Sequence, residues 1–192
     1  MTSKSASSTR ATSISSAWAR VCTCIAAALC MFPGLAMAQS SHCTQSERTL
    51  FSCPLTQSKK IVSLCASPDL SPSSGYLQYR FGKANVAELA YPSEKAPPKG
   101  KFDLFRIQFL RSAAYGISFN AGGFDYSLRY IASGPDESAD EYQLMVTASK
   151  SDTPIFMDVC DKAHIAGKAT LYPLKPLSKK MGIEILEKTE DN

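Results

Sequence analysis

The chain has 192 residues, 44% hydrophobic and 20% charged, with 21 Lys and Arg against 17 Asp and Glu. Three of those cations, Lys4, Arg10 and Arg20, fall in the first 20 residues, and 21 less 3 leaves 18 against 17. Beyond that opening the chain is nearly neutral, which gives no reason to expect a nucleic-acid partner.

The opening stretch has no acidic residue and leads into an apolar run from Val21 to Phe32. That run has the length of a signal-peptide core, roughly 7–15 residues, and is shorter than the about 20 needed to span a bilayer. Pro33-Gly34 and then Ala36-Met37-Ala38 follow, so cleavage is expected between Ala38 and Gln39. Two rivals fit less well. The Ser-rich, acid-poor start also suits a transit peptide, but the compact apolar run and the Ala-x-Ala site do not. Acylation at Cys30 would require a small residue where Leu29 stands. A periplasmic or secreted protein follows, with residues 1–38 removed and no stable membrane insertion afterwards. The remaining 154 residues (192 less 38) suffice for one domain, expected over 39–187.

Cys22, Cys24 and Cys30 leave with the leader, and Cys43, Cys53, Cys65 and Cys160 stay. Four cysteines in an exported chain point to two disulfides. Spacings of 10, 12 and 95 residues lack the close pairs of a zinc site, so no metal or cofactor is expected. Three pairings are possible. Leu50–Cys53 and Lys60–Cys65 read as a hairpin around a turn at Pro54–Lys59, which sets Cys53 opposite about Ile61 and Cys65 opposite about Thr49. Those two cysteines lie at opposite ends of the hairpin. Cys43 therefore falls to Cys65, and Cys53 to Cys160.

Alternation of period 2 continues down the chain. Leu77, Tyr79 and Phe81 alternate with Gln78 and Arg80, Phe105, Ile107 and Phe109 with Arg106 and Gln108, Tyr115, Ile117 and Phe119 with Ser118, and Phe124, Tyr126, Leu128 and Tyr130 with Asp125, Ser127 and Arg129. Asn120-Ala121-Gly122-Gly123 supplies a tight turn between the last two strands. Further strands are expected at 85–91, 141–148, 154–160 and 168–172, with exposed loops at 92–101 and 133–140. From Pro173 onward the pattern changes to a short helix, strand or frayed segment, ending in a disordered tail at 188–192. The expected fold is all-β, a single antiparallel sandwich or small barrel of about 8–10 strands.

Chemistry is sparse. His42 and His164 lie in no catalytic motif, and no G-x-S-x-G, H-E-x-x-H or phosphate-binding glycine loop occurs. No catalytic residue is assigned. Asp103, Asp125, Asp158 and Asp161 are the carboxylates on or beside strands that a hydrolase would use in pairs. Gln78, Arg80, Arg106, Gln108 and Arg129 project from polar strand faces near aromatic residues. If adjacent, they would merge into a cationic binding face for an acidic protein, a polyanionic glycan or a carboxylate.

The runs Leu50-Phe51-Ser52-Cys53, Lys60 to Ser67 and Gly75 to Gly82, with Gly116 to Tyr130 and Cys160, resemble a group of small exported proteobacterial proteins of unknown function. More distantly, an early strand ending in Cys53, a series of strands and a terminal Cys160 resemble the membrane-bound lysozyme-inhibitor family of C-type lysozymes, small β barrels of the envelope. The Ser-Gly-x-x-Tyr loop of those inhibitors is not evident, so no inhibitory residue carries over. The leading expectation is a non-enzymatic binding or inhibitor-like module acting through protein or glycan contacts. The alternatives are an envelope hydrolase with strand-borne carboxylates and a structural subunit of an envelope complex. A deep pocket holding two of the four carboxylates would favour the hydrolase; an exposed apolar patch or open edge strand would favour the subunit.

Overall fold

A computed structural model describes residues 41–134 and 140–189. The expected leader and the cleavage site at Ala38 and Gln39 lie outside the described residues. Four strands, β1 (Arg48–Pro54), β2 (Ile61–Ala66), β3 (Leu77–Lys83) and β4 (Val86–Tyr91), form an antiparallel sheet in chain order. Six more make the second sheet: β5 (Asp103–Gln108), β6 (Ala113–Ala121), β7 (Phe124–Ala132), β8 (Glu141–Ala148), β9 (Pro154–Val159) and β10 (Ile185–Thr189), in the order β10-β5-β6-β7-β8-β9. The two sheets pack as a sandwich rather than a closed barrel.

Between them the alternating residues interdigitate. Phe51, Val62, Leu64, Leu77 and Tyr79 from the first sheet meet Leu104, Ile117, Leu128 and Leu144 from the second in one core. Aromatic rings fill one end of it. Phe119 stacks between Tyr91, 4.2 Å away and 9° from parallel, and Tyr126, at 4.9 Å and 5°. Each such contact adds about 0.5–1.5 kcal/mol to the area buried.

The hairpin register is close to the sequence reading, with Cys53 opposite Val62 and Cys65 opposite Thr49. The disulfides are Cys43–Cys65 and Cys53–Cys160. The first pins the segment before β1 to the four-stranded sheet, and the second ties the two sheets together.

Three local expectations need correction. The strand expected at 168–172 is a 3-10 turn over Lys168–Thr170 followed by buried Leu171. Its neighbours explain this. Ala166 exchanges both backbone hydrogen bonds with Ser52, and Gly167, at φ 72°, presses so closely on β1 that a Cβ would lie 1.9 Å from the Leu50 carbonyl oxygen. The segment thus caps the β1 edge instead of extending a sheet. Second, the C-terminal region is both helix and strand. Helix α1 (Lys175–Met181) buries Leu177 and Met181 and ends at Gly182 in the left-handed region, after which β10 begins. Third, β10 pairs with β5 in parallel, so the second sheet is mixed rather than wholly antiparallel. Lys188 and Thr189, placed by the sequence in a disordered tail, belong to this strand; residues 190–192 lie outside the described residues.

Candidate functional site

The five residues expected to share a binding face do not share one. Gln78 and Arg80 project from β3 on the side of the four-stranded sheet away from the core, yet both are buried, Arg80 against His42 and Glu47 and the Gln78 amide against the Pro92 and Ser93 carbonyls. The Arg80 guanidinium donates to both Glu47 carboxylate oxygens, at 2.6 and 2.8 Å, to the His42 carbonyl and to Gln78 Oε1. Glu47, with no exposed side-chain surface, also accepts from the Tyr76 hydroxyl and the Thr44 backbone N–H. Burial works against its ionisation, but the hydrogen bonds from Arg80, Tyr76 and Thr44 and the Arg80 charge outweigh that and hold its carboxyl far below the usual range. Arg80 is therefore a structural cation, and its burial corrects the expectation of an exposed one.

Arg106 and Gln108 lie on the opposite face of the six-stranded sheet from Arg129. Arg106 shares its side with buried Leu104, where its guanidinium donates to Tyr115, Glu187 and Gln108 and packs over the Tyr115 ring. Arg129 pairs across β6 with Gly116 and Phe105 and stands on the outer face, donating through Nε and Nη2 to Gln143 Oε1. Alternation in β5 identifies two sets of residues but not which of them faces inward. The more polar set, Leu104, Arg106 and Gln108, takes the core side, because Leu104 with nearby Phe102 is buried there while Arg106 bonds to Tyr115, Glu187 and Gln108 farther along the strand, and Phe105 and Ile107 turn outward.

The carboxylates do not gather. Asp103 and Asp125 share the outer face but are two strands and two residues apart, about 12 Å between Cα atoms by strand spacing and rise, and Asp125 accepts a hydrogen bond from Asn120. Asp158 is buried and accepts from the Gln57 and Ser58 backbone N–H groups at 3.0 and 2.8 Å, holding the β1–β2 turn. Burial opposes its charge, but those bonds prevail and keep its carboxyl below the usual range. Replacing Asp158 with alanine is expected to cost about 1–3 kcal/mol, from the lost bonds and the buried N–H groups left behind, measured by urea unfolding. Asp161 accepts from the Ala163 N–H and the exposed His164 ring, and His42 Nε2 lies 3.3 Å from the Gly82 carbonyl oxygen. Among the described residues no group of three His, Cys, Asp or Glu is placed to hold a metal, and no helix is long and apolar enough to cross a membrane.

What stands out is the outer face of the six-stranded sheet. Register places Ala114, Gly116 and Ser118 in line along β6, small residues flanked by Phe105 and Ile107 on β5 and by Ser127 and Arg129 on β7. The result is a trough of about 250 Å³, closed on the β10 side by Leu186 and on the β8 side by Met145. Gly116 is required there, since a Cβ would meet the Phe105 ring at 2.5 Å. Lys188 and Arg129 stand at its flanks and Asp103 at one end. Ser127 Oγ, under the floor, is buried without a hydrogen-bond partner. Beyond the trough Ile155 and Met157 are 61% and 53% exposed, and Leu186 is 49% exposed.

Of the residues first singled out, Arg129 and Asp103 belong to this site. Leu186, Lys188 and Met145 were missed. Met145 sits in an alternating strand that reads as partly core, and β10 joins the sheet only because α1 returns the chain to the β5 edge. No protein-family model, curated protein or solved structure matches the chain.

Proposed function

We propose that this is an exported binding module, periplasmic or secreted, that engages a protein or glycan partner through the outer face of its six-stranded sheet. Its two disulfides suit an oxidising compartment outside the cytoplasm. The observation that carries the reading is the trough with Ile155, Met157 and Leu186 exposed around it, on a face that no described segment covers. Exposed apolar side chains at both edges of the sheet, with the apolar trough between them and a few charges at its margin, are what a contact surface presents. Inhibition of a glycan-cleaving enzyme is one form such a contact takes.

The test immobilises the oxidised chain and a Met157→Glu/Leu186→Glu variant, and exposes both to envelope extract and a panel of lysozymes. Saturable retention of a partner, weakened at least about tenfold in the variant at an unchanged unfolding midpoint, is the expected result. Equal retention by both would remove this face from the interaction. The exposed apolar residues also suit a permanent subunit of an envelope complex, which differs in giving stoichiometric co-purification.

A further inference from the structure

We infer that the trough takes a short apolar peptide with free ends, its amino group at Asp103 and its carboxylate between Arg129 and Lys188. The inference rests on the binding-module reading and names the chemistry of what enters the site. Three features converge on it. The walls are apolar (Phe105, Ile107, Met145 and Leu186), and a cavity of about 150 Å³ already holds a benzene ring, so about 250 Å³ accommodates one or two aliphatic side chains.

The charges in the trough are of both signs and are set apart. Asp103 lies about 12 Å from Arg129 and about 14 Å from Lys188 between Cα atoms, by strand spacing and rise. An extended tripeptide spans about 10 Å, which leaves room for a contact at each end. A fatty carboxylate would meet the cations but set its tail against Asp103. A neutral apolar ligand would make no use of the opposed charges set along the trough.

The third feature is polar. Ser127 Oγ, unpartnered beneath Met145, and Ser118, opposite it on β6, are hydroxyls in an otherwise apolar floor. A peptide main chain supplies both donors and acceptors for such groups, and the unbranched Met145 side chain is the wall residue best able to shift and admit it.

The probe is the tripeptide Leu-Ala-Leu, titrated into the oxidised chain while the methyl resonances of Ile107, Met145 and Leu186 are followed. Saturable shifts confined to those methyls are expected. N-acetylation and C-amidation of the peptide should each weaken binding about tenfold. In Asp103→Asn the effect of acetylation should vanish while that of amidation remains; in Lys188→Gln the effect of amidation should shrink. Absence of saturable shifts up to the solubility of the peptide overturns the proposal. So does equal binding of the blocked and free forms, or binding of octanoate as tight as that of the peptide. If the peptide fails while partner retention still depends on Met157 and Leu186, this proposal falls and the binding-module reading stands. Failure of both removes both.

Discussion

Replacing Glu47 with alanine is expected to cost about 3–5 kcal/mol, because it leaves the Arg80 guanidinium buried beside His42 and Gln78 without its counter-charge. Against a total stability of about 5–15 kcal/mol, that is a large fraction of what holds the fold. Combining it with Arg80→Met should recover part of the loss, since no charge is then left buried without its partner. Urea unfolding of the two single variants and the double variant measures the coupling. If Glu47→Ala costs under about 1 kcal/mol, the pair is not the buried bridge described, since surface pairs contribute that little.

The same carboxylate sets an acid limit. Its folded-state affinity for a proton is far below that of an unfolded glutamate, whose ordinary pKa is 4.5. A depressed carboxyl contributes stability that is complete above the unfolded value and is lost progressively as the pH falls below it. Stability should therefore decline steadily below about pH 4.5 in the native chain, and Glu47→Gln should flatten part of that decline while lowering stability at neutral pH. Parallel slopes for the two proteins between pH 5 and 3 would assign the acid sensitivity elsewhere. Asp158 contributes in the same direction, through the turn it holds.

The second large effect concerns the bond between the sheets. Cys53 and Cys160 are 107 residues apart, and on the loop-entropy account closing so long a loop stabilises by about 4–5 kcal/mol, against about 3 kcal/mol for the 22-residue separation of Cys43 and Cys65. The Cys53→Ala/Cys160→Ala variant should lose more than the Cys43→Ala/Cys65→Ala variant in equilibrium unfolding under oxidising conditions. The reverse order would mean that the shorter bond acts chiefly in the native state, by holding residues 41–47 over Arg80. That segment contacts Arg80 through the His42 carbonyl and carries Glu47, so its displacement would expose the buried ion pair. Either result bears on the compartment, because a chain that depends on these bonds for several kcal/mol keeps its fold only where thiols stay oxidised.

Strand identity was legible because it is local. Alternation at 77–81, 115–119 and 124–130 marks β3, β6 and β7 without reference to any other part of the chain, and the turn at 120–123 follows from residues that accept positive φ. The hairpin register points to the same two disulfides that the structure contains, since cysteines at opposite ends of a hairpin cannot reach each other and Cys43, just before the first strand, lies at the open end near Cys65. Period 2 does not say which alternate set is inside, and in β5 the inner set is the more polar one, because Leu104 fills the core while Arg106 and Gln108 find polar partners farther along the strand. The arginines show the same limit at the level of single side chains. Arg80, Arg106 and Arg129 look alike in sequence, but the three occupy a buried ion pair, the core-side end of a sheet and an exposed face.

The alternation of apolar and polar residues, the turn residues and the placing of four cysteines are properties of a chain and its near neighbours, and they suffice to specify a disulfide-linked, two-sheet β protein. The candidate site belongs to the other class. Its floor comes from β6 and β7, one wall from β5 and another from β10, a strand that joins the sheet some 80 residues after β5 with which it pairs, by separations of 81 residues at both Ile185–Leu104 and Leu186–Phe105. Those residues acquire a common environment only when the sheets pack and α1 returns the chain to the sheet edge. Burial and opposed charge arise from that juxtaposition, so they have no signature in the residues taken singly.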